Sequence, residues 1–461
     1  MHISVAALAV VEACVFSGAM FLAFRVRFGS WHPVLPNGQE AAGWWLWLCA
    51  GVVGAANLVS VLAFGLYSSR QRARTVGVLV RAFAALAAAN VVTAAVFYVA
   101  PSLWLGRGVL ALSFVFSLLG MGITRALFMR LIDESLFKRR VLVYGVGQRT
   151  AAISSLRRRS DRRGFEILGF VQPDGESITV PMERVFEAPD GILALCNSLG
   201  VDEVVVAMED RRRGFPILGL LECRLAGIDV TELLTFLERE TGRVRIDVLN
   251  PSWMIFGEGF RRDPLRLFSS RSLDLLASLV LVILSLPLMI LAMVAIKIED
   301  GWRAPVFYGQ ARVGLGGRPF TVLKFRSMRT DAERDGKAQW AQKSDPRVTR
   351  VGAIIRKLRI DELPQILNVV AGHMSFVGPR PERPQFVAEL SQKIPYYVQR
   401  HCVKPGITGW AQLCYPYGSS EQDALEKLQY DLYYIKNNTL LFDLAILVQT
   451  AEVVFMGKGA R

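Results

Sequence analysis

Asp361 and Glu362 stand side by side in "RIDELPQILNVVAGHMSFVGPRP" (359–381), with Arg356, Lys357 and Arg359 close upstream and Arg380 and Arg383 downstream. An Asp carboxylate titrates near about 3.9, so at neutral pH it is ionised and nucleophilic, and phosphoryl groups are among its targets. Charge opposes such an attack on a diphosphate. Two unit anions about 4 Å apart repel by roughly 4 kcal/mol at an effective dielectric of about 20. A divalent cation and several guanidinium groups offset that repulsion and stabilise charge spreading in the transition state. Mg²⁺, which takes one or two carboxylates plus phosphate oxygens, suits Asp361 and Glu362 as metal-binding residues. The chain has 4 histidines, of which only His373 falls in this stretch, and no His/Cys cluster competes. A plainer reading, a solvated helix face with i,i+4 pairs such as Lys357–Asp361, fits the charge pattern equally well.

The elements that must position these groups are legible from periodicity. Apolar residues at Ile354, Ile355, Leu358, Leu363, Ile366 and Leu367 predict an amphipathic helix over 351–368, interrupted near Pro364, with the carboxylates towards its polar side. Upstream lies the apolar run Leu275–Ile296, with Pro287 in its middle and basic flanks on both sides: Arg261, Arg262, Arg266 and Arg271 before, then Lys297, Arg303, Arg312, Arg318 and Lys324. A simple crossing would place one basic flank outside. A helix that enters, bends at Pro287 and returns keeps both inside. A kinked transmembrane helix is the alternative.

Four further apolar stretches, Ile3–Phe24, Trp44–Leu66, Val76–Val99 and Val109–Met129, each approach the roughly 20 residues that a helix needs to cross hydrocarbon. Buried helices of a large soluble core are the competing reading, and four in succession argue against it. The first stretch lacks a basic n-region, and the following "RVRFGSWHP" offers no cleavage site, so it does not read as a signal peptide. Arg70, Arg72 and Arg74 mark the second loop and Arg130, Lys138, Arg139 and Arg140 the region after the fourth stretch; the third loop has only Arg107. This bias puts both ends of the four-helix block in the cytoplasm, with Arg25 and Arg27 snorkelling at a helix end.

Residues 139–250 read differently. "RRVLVYGVGQRT" is a buried strand entering a glycine turn, and "FEILGFV", "DEVVVAM" and "GIDVTEL" are further strands separated by helical runs near 149–159, 188–199 and 214–226. This alternation predicts a small parallel α/β domain. Gly145 and Gly147 begin a dinucleotide fingerprint, but Thr150 holds the third glycine position and no acidic residue follows at the usual spacing. The domain therefore reads as degenerate, suited to packing or regulation.

Composition agrees: 52% of residues are hydrophobic, and 54 Lys+Arg against 40 Asp+Glu give a formal charge of +14. In a chain with membrane segments that excess suits anionic lipid and anionic substrates, and we expect no nucleic acid partner. The six cysteines show no metal-ligand spacing and read as reduced.

Three long stretches, "GQARVGLGGRPFTVLKFRSM", "LRIDELPQILNVVAGHMSFVGPRPE" and "KPGITGWAQ", closely resemble the polyprenyl-phosphate glycosylphosphotransferases. These bacterial membrane enzymes transfer a sugar-1-phosphate from a nucleoside-diphosphate sugar to undecaprenyl phosphate. The resemblance covers about residues 269–461, and the order of parts upstream looks like the long form that initiates exopolysaccharide or O-antigen synthesis. It implies that Asp361 is the nucleophile forming a covalent phospho-sugar intermediate and releasing UMP, with Glu362 aiding Mg²⁺ and positioning. Arg356 and Arg380 match phosphate-holding positions, and Lys324 and Arg326 of "KFRSM" belong to the same anionic pocket. Pro287 matches the break in the family's re-entrant helix. Arg271 and Asp274 match the motif at which that helix enters the membrane, in part, because Ser270 replaces its first basic residue. His373 stands where the family often has Asp. Relatives with the middle domain suggest a homodimer, and a nucleotide-sugar substrate places the catalytic domain on the cytoplasmic face of the bacterial inner membrane.

The expected fold is α/β with membrane helices. A four-helix transmembrane bundle (1–133) precedes a degenerate Rossmann-like domain (139–250), a re-entrant hairpin broken at Pro287 (265–300) and a mostly helical catalytic domain (301–461). Two other functions compete. A membrane-bound nucleotide-sugar dehydratase or epimerase would need a Tyr-x-x-x-Lys pair, which the chain lacks, and a non-enzymatic polysaccharide-assembly scaffold would leave the dyad idle. A metal-dependent glycosyltransferase would need a DxD triplet, also missing.

Overall fold

The computed structural model describes residues 3–29, 43–67, 75–103, 106–131, 138–154, 156, 164–173, 175–210, 214–249, 259, 263–329, 347–416, 418 and 420–455. The loop bearing Arg70, Arg72 and Arg74 lies outside them, as do Arg261 and Arg262. Two compact units divide the chain, Met1–Thr241 and Gly242–Arg461.

The first unit opens with four apolar helices: α1 (Ile3–Phe28), α2 (Gly43–Ala63), α3 (Thr75–Val99) and α4 (Arg107–Leu131). All are long and apolar enough to cross a membrane. They share their cores. Met20 and Phe24 of α1 meet Trp45 and Cys49 of α2, Phe97 of α3 and Val109 of α4 in one cluster, and Phe16, Val61, Leu86 and Met121 meet in another. Large side chains such as Trp47, Val59, Val91 and Ile123 face outward instead, as lipid-facing positions would. The one acid that these helices bury, Glu12, is paired with Arg125 at 2.8 Å. A charge in such surroundings persists only with a partner.

A five-stranded, all-parallel sheet follows, in the order β3-β2-β1-β4-β5. Its strands are β1 (Arg139–Tyr144), β2 (Phe165–Val171), β3 (Val185–Phe186), β4 (Glu203–Val206) and β5 (Asp229–Glu232), with helices α5 (Gln148–Ser154), α6 (Ile192–Leu199), α7 (Ile217–Leu225) and α8 (Leu233–Thr241) between and after them. Four strands match the expectation; the two-residue β3 was too short to show a pattern.

The glycine turn after β1 is closed on itself. In a dinucleotide-binding fold the amides here would face a pyrophosphate. In this chain Val146 N donates to the Glu176 carboxylate (2.8 Å), Gln148 N to Glu209 (2.5 Å) and Glu209 N to Glu176 (2.9 Å). Gly147 is needed for this closure, since a Cβ there would lie 2.4 Å from Glu209 Oε1.

The second unit is mainly helical. The 37-residue helix α9 (Pro264–Asp300) is capped by the Asp263 carboxylate, which accepts from Leu265 N. The segment expected as a hairpin broken at Pro287 is thus one helical element, with Pro287 inside it. A proline removes one amide donor, and the helix continues on either side of that gap.

Next comes an antiparallel hairpin, β6 (Phe307–Val313) with β7 (Pro319–Phe325). The amphipathic helix expected over 351–368 is divided earlier than Pro364. Helix α10 (Arg350–Lys357) ends at Leu358, Arg359 takes a left-handed conformation (φ 59°), a 3-10 turn spans Ile360–Glu362, and α11 (Gln365–Val370) starts after Pro364. The remainder comprises β8 (Ser375–Val377), α12 (Pro384–Lys393), β9 (Gly406–Thr408), α13 (Trp410–Cys414), α14 (Glu421–Asn437) and α15 (Leu440–Phe455), with β8 and β9 forming a parallel pair.

Residues 242–249, which the sequence assigned to the end of the middle domain, pack within this second unit. Val244 is buried, its amide donates to Gln429 O (3.0 Å), and Trp410 Nε1 donates to Gly242 O (2.8 Å). Arg243, Arg245 and Asp247 alternate with Val244, Ile246 and Val248, a pattern that marks one apolar side but does not say which unit that side packs into.

Candidate active site

The carboxylate pair sits at the junction of β7, the 3-10 turn and the segment after β8. The left-handed backbone at Arg359 is uncommon for a residue with a Cβ and reverses the chain between two helical segments. This turn places Asp361 and Glu362 inward, so that Asp361 is only 8% exposed and the Glu362 side chain 14%.

The two acids are treated very differently. Glu362 Oε1 meets Arg380 Nη2 at 3.1 Å, Lys324 Nζ at 3.4 Å and Arg359 Nη1 at 3.7 Å. Burial alone would raise the Glu362 pKa, but Arg380, Lys324 and Arg359 outweigh it and hold the carboxyl at about 2. Asp361 makes no ion pair among the described residues. Burial raises its pKa above the ordinary value, the neighbouring Glu362 adds to the rise, and Lys324, Arg356 and Arg359 pull against it. One carboxylate is thus a hub ionised across the neutral range, and the other is a buried, unengaged base beside it.

Of the residues expected here, the structure brings Lys324, Arg356, Asp361, Glu362 and Arg380 together. Lys324, the penultimate residue of β7, faces the dyad, while Phe325 faces the opposite way into a core with Ala292, Ile296 and Ile355. Burial lowers the Lys324 pKa, with Glu362 opposing. Arg326 lies just past the strand and makes no contact with either acid among the described residues. Its Nη1 is buried without a hydrogen-bond partner, a donor suited to an incoming anion. His373 lies in the turn after α11, its ring 6.2 Å from that of Phe320, and is not part of the dyad's surroundings.

Arg271 and Asp274 act one layer further out. Arg271 donates to the carbonyls of Val369 (2.6 Å) and Val370 (2.7 Å), satisfying the C-terminal end of α11. Asp274 Oδ1 accepts from Ser375 Oγ (2.9 Å) and Phe376 N (3.0 Å), which ties α9 to β8. At its other end α9 is tied again, where Glu299 accepts from the amides of Arg350 (2.8 Å) and Val351 (3.0 Å) at the start of α10.

One positioning residue was missed. Asn368, on α11, accepts from Leu323 N (2.9 Å) and donates to Thr321 O (2.7 Å), so its amide imitates a neighbouring strand and fixes β7 against the dyad helix. Its partners are backbone groups, which have no sequence signature. Asn368→Ala would strip partners from two part-buried backbone groups and empty a buried side-chain position. We expect a loss of roughly 2–3 kcal/mol in stability, and a fall in activity as Lys324 loses its register. Thermal unfolding and kcat/KM measured on the same preparation check both.

Comparison with known proteins bears on these residues. The model of the bacterial sugar transferase family matches residues 265–457. A UDP-N-acetylgalactosamine-undecaprenyl-phosphate N-acetylgalactosaminephosphotransferase of Aeromonas hydrophila is 45% identical over 242 residues, 52% of this chain and 56% of the relative. A UDP-glucose:undecaprenyl-phosphate glucose-1-phosphate transferase of Xanthomonas campestris pv. campestris is 29% identical over 470 residues, covering 95% of this chain and 91% of its own length. A Caulobacter vibrioides protein of the same name is 43% identical over 192 residues, 41% of this chain and 71% of the relative. The chain belongs to the bacterial sugar transferases. The matched segment of this sugar transferase contains all of Arg271, Asp274, Lys324, Arg356, Asp361, Glu362, Asn368 and Arg380. The chain thus spans about half the length of the Aeromonas relative and nearly all of the Xanthomonas one.

Proposed function

We propose that this sugar transferase moves a sugar-1-phosphate from a UDP-sugar to undecaprenyl phosphate in two steps through Asp361. In the first step a carboxylate oxygen of Asp361 attacks the phosphorus that bears the sugar. The bond from that phosphorus to the bridging oxygen breaks, and UMP leaves with the oxygen and its electrons. In the second step an oxygen of the lipid phosphate attacks the same phosphorus, which releases the Asp361 carboxylate and yields undecaprenyl-diphosphate-sugar. The observation that carries this reading is the asymmetry of the dyad: a charge-compensated Glu362 beside an unengaged, buried Asp361 in a pocket of cations. Lys324, Arg356 and Arg380 would hold phosphate oxygens and oppose the build-up of negative charge.

The donor set suits Mg²⁺. Asp361 offers a carboxylate, and among the described residues the three ion pairs of Glu362 fall on Oε1, so Oε2 is the oxygen that a cation could take. No group of three or more His, Cys, Asp or Glu side chains able to hold a metal occurs among the described residues, so phosphate and water would complete the shell. When bound, Mg²⁺ supplies charge neutralisation for the diphosphate.

The attachments of α9 support a topology. Its two ends are tied to one stretch of the same unit, Arg271 and Asp274 to 369–376 and Glu299 to 350–351, while Leu276, Leu279, Ile283 and Leu284 between them are exposed and apolar. A helix that enters the cytoplasmic leaflet, bends at Pro287 and returns would satisfy both attachments, and a crossing would separate them. The catalytic unit then faces the cytoplasm of the inner membrane, where nucleotide sugars and the lipid phosphate meet.

The test is the identity of the leaving nucleotide. With Mg²⁺, undecaprenyl phosphate and a panel of UDP-sugars, membranes containing the protein should release UMP. Release of UDP would mean glycosyl transfer and would overturn the mechanism.

A further inference from the structure

Arg380 is held by its backbone as well as by Glu362. The segment Pro379–Glu382 has two prolines, which fix φ and offer no amide donors, so the segment can be anchored chiefly through its carbonyls. Each of the four carbonyls is taken. Pro379 O accepts from Gly406 N (2.9 Å), Arg380 O from Arg400 Nη2 (3.0 Å), Pro381 O from Arg312 Nη1 (3.1 Å) and Glu382 O from Val313 N (2.9 Å). The second of these comes from an unusual donor. Arg400 is 6% exposed, and its guanidinium also donates to the Asp431 carboxylate (2.8 Å) and to Tyr397 Oη (2.7 Å), with the Tyr397 ring 5.1 Å beneath it. Asp431, on α14, is 2% exposed.

A buried ion pair is a poor means of stabilising a fold, because desolvating two charges costs about as much as their attraction returns, and apolar replacements often do as well. Its placement calls for another reason. A planar guanidinium can hold three partners at fixed angles, and here two of them, Asp431 and Tyr397, fix the orientation with which the third, the Arg380 carbonyl, is met. We propose that Arg400 and Asp431 are a positioning pair that sets the backbone of Arg380 and thereby aims its guanidinium at Glu362 and the substrate phosphates. The pair touches no reacting atom and acts through Arg380. The inference rests on the phosphate-holding role given to Arg380 above.

A double-mutant cycle tests it with the full-length protein in membranes, reading kcat and KM for the UDP-sugar from UMP release. Lysine cannot reach Asp431, Tyr397 and the Arg380 carbonyl together, so Arg400→Lys should lower kcat/KM roughly 30-fold, the size of couplings seen within one hydrogen-bonded network. In an Arg380→Lys background the same change should cost less than about 3-fold, because the group it positions is already altered. Equal losses in both backgrounds would show a general structural role and overturn the proposal. If Arg400→Lys does not accumulate, Tyr397→Phe replaces it in the cycle: it removes one acceptor from Arg400 and keeps the ring, and the same non-additivity is required. Wild-type protein that releases UMP but gives an additive cycle would sink the positioning role alone. Wild-type protein that releases no UMP would sink the reaction itself.

Discussion

Asp361→Asn should abolish turnover, with UMP release falling by at least about 10³-fold, while the folded protein survives heating as well as or better than the wild type. The loss of activity follows from chemistry. An amide cannot form the acyl phosphate, and the pocket has no second unengaged carboxylate, since Glu362 is committed to Lys324, Arg359 and Arg380. The stability follows from the sign of the Asp361 shift. A pKa raised in the folded state means that the fold disfavours the ionised form, so at neutral pH the charge costs stability and a neutral isostere relieves that cost. Mass spectrometry supplies the complementary measurement. Wild-type protein given UDP-sugar without lipid acceptor should gain the mass of a phospho-sugar on the peptide containing Asp361, and Asp361→Asn should not. Activity near the wild-type level in the variant would remove Asp361 as the nucleophile.

Much of this arrangement could be read from residue order. The dyad, its basic neighbours and the apolar run around Pro287 are features of side-chain type at short separations, and those survive in a linear string. The four parallel strands longer than three residues were also legible, three of them as largely apolar runs bounded by turns and β5 from the β-branched residues of "GIDVTEL". What was hidden depends on backbone or on distant partners. The left-handed turn at Arg359 is carried by a residue that does not advertise it, unlike a glycine. Asn368 grips main-chain atoms of β7 from 45 residues or more away. The glycine turn after β1 looked merely incomplete, whereas Glu176 and Glu209, 30 and 61 residues downstream of the amides they take, fill it with the chain's own carboxylates. The continuation of α9 past Pro287 was also hidden, because an interior proline removes one amide donor and bends a helix without having to end it.

The second large effect belongs to Glu362→Gln, and it separates the two acids by pH. In the wild type the acid limb of kcat/KM should report the ionisation of Asp361, which must lose its proton to attack. Burial and the Glu362 charge both push that ionisation above the ordinary carboxylate range, so the limb should lie above the position of a free aspartate. Replacing Glu362 with glutamine removes the like charge and leaves Lys324, Arg356 and Arg359 to act on Asp361, and both changes favour the ionised form. The acid limb should therefore move to lower pH. At the plateau, activity should fall roughly 10²- to 10³-fold, because Arg380 and Lys324 lose the anchor that presents them to the phosphates and a more acidic Asp361 is a weaker nucleophile. Stability should respond in the same experiment. A carboxyl held at about 2 contributes stability that is present above its unfolded value near 4.5 and is lost as pH falls towards 2, so the variant should lose the acid-dependent part of the wild-type unfolding curve. A pH profile measured from UMP release for both proteins decides the matter. Loss of the acid limb in the variant would mean that Glu362 is the group whose ionisation gates the reaction, and a limb that stays in place or moves upward would mean that the gating group is not an Asp361 raised by the charge of Glu362.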